Sequence, residues 1–461
     1  MNTNIPKNHL FSEEDIPLIQ VSYTWALASV WIENGMAEKH ATFDLLVRNL
    51  PIHRNFLIAG GLEEIVTQIK KMRFSDEQIK YLRDKKLVTE KCAAYLKNFR
   101  FSGDIWAMPE GTVFFGYEPI IRITAPIVEA ALIEQWIITA ALSNTIFFSK
   151  AARLKISAHG KFTVATGPLR GHSLESSFKA TRAAELCGIA APATPSFNMK
   201  YNLPVDAFWI NAQHLFVTSF PSELEAFRAL AKMYPDNTGF LIDTYDAKQG
   251  IENAITVAKE LQAEGHKLAS IYIDSGDRTK LVNYARKRFA EEGVIDTRIT
   301  VAGGMTEYVI EKFAKAGLKA NTITSIEELM TVNDSPKLDV VYKLAELRDN
   351  NSVLYTAKLT PGKESYPGKK QVFRVFKDGK MSHDVVGLED EKLGEPLLKK
   401  VMEKGELAHP LPDWVAIREY VAGQISSLPE KLKDLNHNRD YRVDTSSKLQ
   451  VLFDDIKLRK K

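Results

Sequence analysis

A chain of 461 residues exceeds one ordinary domain, so two or three domains, or one barrel with additions, are expected. With 45% hydrophobic and 26% charged residues, the composition excludes disordered, collagenous and coiled-coil classes. The 61 Lys and Arg nearly balance 58 Asp and Glu, and a net charge of +3 excludes a nucleic-acid binder recognised by its field alone.

Two cysteines, Cys92 and Cys187, can build neither a disulfide framework nor a zinc site, which fits a reducing compartment. The N-terminus M-N-T-N-I-P-K-N-H-L lacks the apolar core of a signal peptide. No apolar run approaches the ~20 residues of a membrane span. A cytoplasmic protein with no membrane and no nucleic-acid partner is expected, and the basic end 457–461 (K-L-R-K-K) reads as a solvated tail.

In chain order, residues 19–32 (I-Q-V-S-Y-T-W-A-L-A-S-V-W-I) predict a largely apolar helix stopped by N-G, and residues 41–48 a strand. Residues 111–125 predict two more strands with a turn at Glu118-Pro119. A long apolar helix follows over 126–153, with Trp136, Phe147 and Phe148 as core or interface residues. From about Phe208 the pattern changes. Apolar runs at 208–212, 239–243, 270–274 and 298–302 recur at about the 30-residue spacing of one strand-plus-helix unit. The helical intervals between them cover 222–232, 250–262, 278–290 and 307–316. This alternation implies a parallel sheet, either doubly wound or closed as a barrel. Beyond Ser352, the alternation in 370–376 (K-Q-V-F-R-V-F) predicts an exposed antiparallel sheet.

In either parallel architecture the chemistry belongs at the C-terminal ends of the strands. Four groups follow the apolar runs directly: His214, Asp243 with Asp246 in D-T-Y-D, Asp274 and Asp277 in D-S-G-D, and Gly303-Gly304. Each has a plain alternative. Asp277 before R-T-K-L-V is placed to cap a helix, His214 to be a satisfied histidine, and the glycine pair to make a tight turn. Glycines there also let backbone N–H groups approach an anion.

Six motifs stand in order along the chain: F-L-I-A-G-G-L-E-E (56–64), P-S-E-L-E-A-F-R-A (221–229), P-D-N-T-G-F-L-I-D-T-Y-D (235–246), D-S-G-D, V-Y-K-L (341–344) and P-G-K-K-Q-V-F-R (367–374). Together they resemble the nicotinate phosphoribosyltransferase family over nearly the whole chain. The resemblance implies an α/β fold: an irregular α/β barrel with a flanking mixed α+β domain, as in type II phosphoribosyltransferases. The segments would be an N-terminal mixed domain over 1–125, the barrel over 126–350, and a C-terminal segment over 351–461 completing the flanking domain. It also implies a homodimer with active sites at the interface.

The implied activity joins nicotinate to C1 of phosphoribosyl pyrophosphate in NAD salvage, with Mg²⁺ and with ATP as co-substrate, coupled through a phosphorylated histidine. Such a site needs anion-binding N–H groups, cations for the phosphates, and carboxylates for ribose hydroxyls or Mg²⁺. By resemblance His214 is the phosphorylated histidine and Tyr23 the aromatic that stacks on the base. Arg170 is the second arginine of an R-R pair, and Asp243, Asp274 and Asp277 lie in intact motifs. Gly303 and Gly304 match the phosphate-contacting S-G-G, with Ala302 in place of its serine.

The departures cluster on the phosphoribosyl pyrophosphate site. Gln20-Val21 replaces T-D, Leu169 the first arginine, Pro192-Ala193-Thr194 the T-S-N, and Ile210-Asn211 the G-T before the histidine. The phosphate loop G-V-G-T becomes Thr324-Ser325-Ile326-Glu327, followed by Glu328. A carboxylate ~5 Å from a phosphate costs on the order of 3 kcal/mol per phosphate charge before screening. The leading expectation is therefore a divergent enzyme of this family. The alternative is a catalytically silent or substrate-shifted paralogue that keeps the fold for binding, regulation or assembly.

Overall fold

Short apolar strands separated by amphipathic helices can hide both faces of a sheet only if the strands run parallel and the helices cover them. The computed structural model, which describes residues 12–191, 194–203, 210–349 and 352–460, has this arrangement. Six strands pair in the order Thr163–Ala165, Thr322–Thr324, Arg298–Val301, Ser270–Ile273, Thr238–Leu241 and Ile210–Ala212. Every pairing is parallel, and Ala190 adds a parallel bridge to Ala165. Phe208 and Trp209 of the first expected run lie outside the described residues. The other runs are the Thr238–Leu241, Ser270–Ile273 and Arg298–Val301 strands. Thr163–Ala165 and Thr322–Thr324 were not anticipated, because three-residue strands carry no periodic signal.

The helices between these strands start where a side chain can satisfy their free N–H groups. Ser222, Asp246, Asp277 and Thr306 each accept from the backbone N–H three residues on. Their apolar faces close on the sheet. Phe227 of the Glu223–Met233 helix stacks on Phe240 with ring centroids 4.1 Å apart. The Ala247–Ala263 helix comes so near its strand that a Cβ on Gly250 would lie 1.9 Å from the Ile242 carbonyl oxygen. Only glycine allows that approach.

The flanking domain is built on a seven-stranded sheet, in the order Val353–Tyr355, Val340–Arg348, His40–Val47, Pro119–Pro126, Asp104–Ala107, Lys399–Glu403 and Glu406–Leu407. All these pairings are antiparallel. The chain thus leaves this sheet at Pro126, builds the parallel sheet, and re-enters at Val340 beside His40–Val47. Between the two sheets runs the apolar stretch expected as one helix. It breaks at Ile133 into Ile127–Leu132 and Glu134–Ser157, with Trp136, Phe147 and Phe148 buried.

One expectation fails on exposure. Lys370–Lys377 is an antiparallel strand paired with Lys380–Leu388, but its first five residues are buried, not alternately exposed. The charged residues that gave the alternation are interior ion pairs: Lys370 Nζ lies 2.7 Å from Asp44 Oδ2, and Arg374 Nη2 2.6 Å from Asp384 Oδ2. Among the described residues no helix is long and apolar enough to cross a membrane.

Candidate functional site at the rim of the parallel sheet

Because all six strands point the same way, the residues that follow them share one rim. His214 opens the short His214–Val217 helix just past its strand and is half exposed. Its Nδ1 lies 2.9 Å from Thr244 Oγ1, and its Nε2 4.0 Å from Asp243 Oδ1. The Asp243 side chain is only 3% exposed. Ser275 Oγ donates to its Oδ2 at 2.5 Å, while Oδ1 has no hydrogen-bond partner among the described residues. A buried carboxylate oxygen without a donor is costly, and it holds acceptor capacity facing the imidazole.

The circuit continues through D-S-G-D. Arg278 Nη2 donates to the Asp274 carbonyl at 2.8 Å and to the Gly303 carbonyl at 3.1 Å. Gly303 has φ +76, and a Cβ there would sit 2.1 Å from the Asp274 carbonyl oxygen and 3.0 Å from Asp274 Oδ1. Gly304 is also left-handed, at φ +65, but faces open space. Gly303 is thus demanded by the close approach of two strand ends, and Gly304 by its backbone angle alone. Met305 extends the chain of contacts, its carbonyl accepting from Ser325 Oγ at 2.7 Å. Ser325 N donates to the Ala165 carbonyl at 2.8 Å. Past Ala165 and Ser325, Arg170 Nη1 donates to Glu327 Oε1 at 2.5 Å.

The rim therefore brings together His214, Asp243, Asp274, Gly303, Gly304 and Arg170. Asp277 has the contacts of a helix cap. Its Oδ1 accepts from Lys280 N at 3.1 Å, its other oxygen lies 3.3 Å from Lys280 Nζ, and the cap hydrogen bond holds its carboxyl below the usual range. Asp246 caps the Ala247–Ala263 helix in the same way. Tyr23 sits on the Ser22–Glu33 helix of the flanking domain, 64% exposed on one face with Leu27 and Val30. No hydrogen bond, ion pair or ring contact among the described residues ties it to the rim.

Several contributors escaped the sequence reading. Thr244 and Ser275 stood inside the quoted motifs as spacers between carboxylates, and Arg278 only as the residue after a helix cap. Glu223 stood in S-E-L-E as a helix opener. It is buried, with Oε2 accepting from Asn253 Nδ2 at 2.9 Å and Oε1 lacking a partner among the described residues. Burial, reinforced by Asp243 and Asp246, raises its carboxyl above the ordinary range. Buried Asn211 Oδ1, also unpartnered, lies on the neighbouring strand. A cavity of about 640 Å³ lies away from the rim, in the flanking domain, among Arg48, Arg54, Tyr117, Arg439 and Tyr441.

No group of three or more His, Cys, Asp or Glu side chains among the described residues could hold a metal by itself. Mg²⁺ bound through one or two carboxylates plus substrate phosphates makes a smaller demand. The open Oδ1 of Asp243, with Asp274 just past the end of the adjacent Ser270–Ile273 strand, is a donor set compatible with that smaller demand.

Comparison with known proteins agrees with this architecture. Residues 20–141 match the nicotinate phosphoribosyltransferase N-terminal domain and residues 393–453 the C-terminal domain of the same family. The nicotinate phosphoribosyltransferase pncB2 of Mycobacterium tuberculosis is 32% identical over 397 residues, covering 86% of this chain and 84% of its own. The Bacillus subtilis nicotinate phosphoribosyltransferase is 29% identical over 465 residues, covering 95% and 94%. The human nicotinic acid phosphoribosyltransferase structure superposes with a TM-score of 0.81 at 22% identity, covering 95% of this chain and 99% of that one. The chain belongs to the nicotinate phosphoribosyltransferase family, a family of enzymes with this α/β fold.

Proposed function

We propose that this protein joins nicotinate, or a closely related pyridine base, to phosphoribosyl pyrophosphate in NAD salvage. The ring nitrogen of the base would bond to C1 of the ribosyl group while the C1–O bond to pyrophosphate breaks, the electron pair leaving with pyrophosphate. The positive charge that develops on the ribosyl ring favours nearby carboxylates, which Asp243 and Asp274 supply. Mg²⁺ held by these two and by substrate phosphates would neutralise the departing diphosphate. ATP would enter as co-substrate, its γ-phosphoryl passing to an imidazole nitrogen of His214 and then to water. The observation that carries this reading is the placement of His214 between Thr244 and the partly unpaired Asp243. A carboxylate beside an imidazole orients it and stabilises the cationic form that phosphorylation creates.

Tyr23 fits this reading only in a homodimer. Exposed on the flanking domain beside Leu27 and Val30, it would stack on the base in the site of a second copy. The test is a mixture of purified protein with nicotinate, phosphoribosyl pyrophosphate, Mg²⁺ and ATP, assayed for nicotinate mononucleotide. Turnover in the wild type that falls by at least about a hundredfold in His214→Ala is expected. Unchanged turnover in that variant would remove His214 from the reaction.

A second reading is favoured by Glu327, which occupies Arg170 where the family has a threonine. In it the chain is a silent paralogue, or acts on a less phosphorylated ribosyl substrate. No product, and no thermal stabilisation by phosphoribosyl pyrophosphate, would support that reading.

A further inference from the structure

Arg170 and Glu327 follow neighbouring strands of the sheet, Thr163–Ala165 and Thr322–Thr324, which pair with Ala165 opposite Thr324. Two interior anchors set the direction in which Glu327 points. Ser325 is tied down through its N–H to Ala165 and its hydroxyl to Met305. Glu328 turns inward to the fully buried Lys150 ammonium, 3.4 Å away, which also meets Glu307 at 2.6 Å and Asp334 at 3.0 Å. With 325 and 328 facing in, Glu327 is presented outward at the rim, where it receives the Arg170 guanidinium. Arg170 itself adopts φ +71, a left-handed angle that a non-glycine residue holds only against strain.

The pair is short but weak. Its side chains are 71% and 53% exposed, and an ion pair so open to water adds little to stability. A phosphate carries more charge than a carboxylate and matches the guanidinium fork at least as well. We infer that Glu327 is an anion-displaced latch: it occupies Arg170 until a phosphate or diphosphate oxyanion takes its place. It then stays beside the bound anion as a repelling charge, setting how highly phosphorylated a ligand the rim accepts. This rests on the proposed function only in taking diphosphate as the displacing group.

Binding of inorganic pyrophosphate with Mg²⁺, followed by titration calorimetry, tests the latch without requiring turnover. Glu327→Gln, isosteric and exposed, binds on the order of tenfold more tightly than the wild type at low salt, with the advantage shrinking as salt screens the charge. In an Arg170→Gln background the same substitution gains clearly less, because the two residues act through one contact. Equal affinity in the wild type and Glu327→Gln, a gain undiminished in the Arg170→Gln background, or no pyrophosphate binding by Glu327→Gln would each overturn the latch. Glu327→Thr, the residue type of the family loop, repeats the measurement with a second side chain. Its KM for phosphoribosyl pyrophosphate falls while KM for nicotinate holds. The two proposals fail separately. A protein that never forms mononucleotide yet gains pyrophosphate affinity on Glu327→Gln loses the function and keeps the latch. An active enzyme indifferent to Glu327 does the reverse.

Discussion

The two sides of the rim are built on different principles. From His214 through Asp243 and Ser275 to Gly303, a buried Asp243 carboxylate sits behind the more exposed His214 and Ser275, the strand ends at Asp274 and Gly303 are held by close backbone approach, and an acceptor atom of Asp243 is left open. From Arg170 to Glu327, the charged groups are exposed and satisfied by each other. A surface that keeps unpaired acceptors bears a stability cost that packing does not require, so it is the side arranged for a ligand. A surface that neutralises its own cation has lowered its readiness for an anion. The difference puts Glu327, which stands where the family has a threonine, on the side that satisfies its own cation, while His214 and Asp243 keep an open acceptor between them.

The largest expected effect comes from what supports the second side. Lys150→Met removes the buried cation that Glu307, Glu328 and Asp334 share, leaving Glu307 with Arg153 and Asp334 with Arg54. Removing one partner from such a buried cluster costs about 3–5 kcal/mol, read by urea unfolding. Next comes Gly303→Ala on the first side, where a left-handed angle and the Asp274 carbonyl both oppose a Cβ, for a loss of about 2–3 kcal/mol. Gly304→Ala shares the angle but faces open space and costs about 1 kcal/mol. If both glycines respond equally, the tight join between the two strand ends is not what holds the first side.

Asp277 sharpens the comparison further. As a cap, Asp277→Ala lowers the unfolding midpoint modestly, and Asp277→Asn, which keeps the acceptor, leaves it nearly unchanged. Asp277→Asn with native stability but abolished turnover would return the carboxylate to the chemistry. A pH-dependent control lies in the flanking domain. Burial, then the adjacent Asp384 carboxylate, raises the carboxyl of Glu118 well above its ordinary 4.5. A raised folded-state value gives stability that is full below pH 4.5 and is lost as pH climbs through that raised value. Glu118→Gln stays neutral throughout. Its melting temperature relative to wild type should therefore improve progressively above pH 4.5, and a constant offset would contradict the assignment.

What the sequence disclosed follows from which physics is local. Repeating apolar runs and helix caps are set by neighbours in the chain, so the central strands and the starts at Ser222 and Asp277 could be read directly. The Thr163–Ala165 and Thr322–Thr324 strands exist because the sheet recruits them, and three residues cannot announce that. The buried Lys370 and Arg374 resembled an exposed face because their partners, Asp44 and Asp384, are brought to them by the fold. At the rim, motifs marked where His214, Asp243 and Asp274 would be. The pairing of Arg170 with Glu327, 157 residues apart, lay beyond any local pattern.

The central claim is that His214 is the group phosphorylated at this rim, with Asp243 as its orienting carboxylate. Incubation with Mg²⁺ and ATP labelled at the γ-phosphate tests it most directly. The account predicts an acid-labile, base-stable label on the wild type that is absent from His214→Ala and strongly reduced in Asp243→Asn. A label that survives His214→Ala unchanged, or maps to another residue, would contradict it.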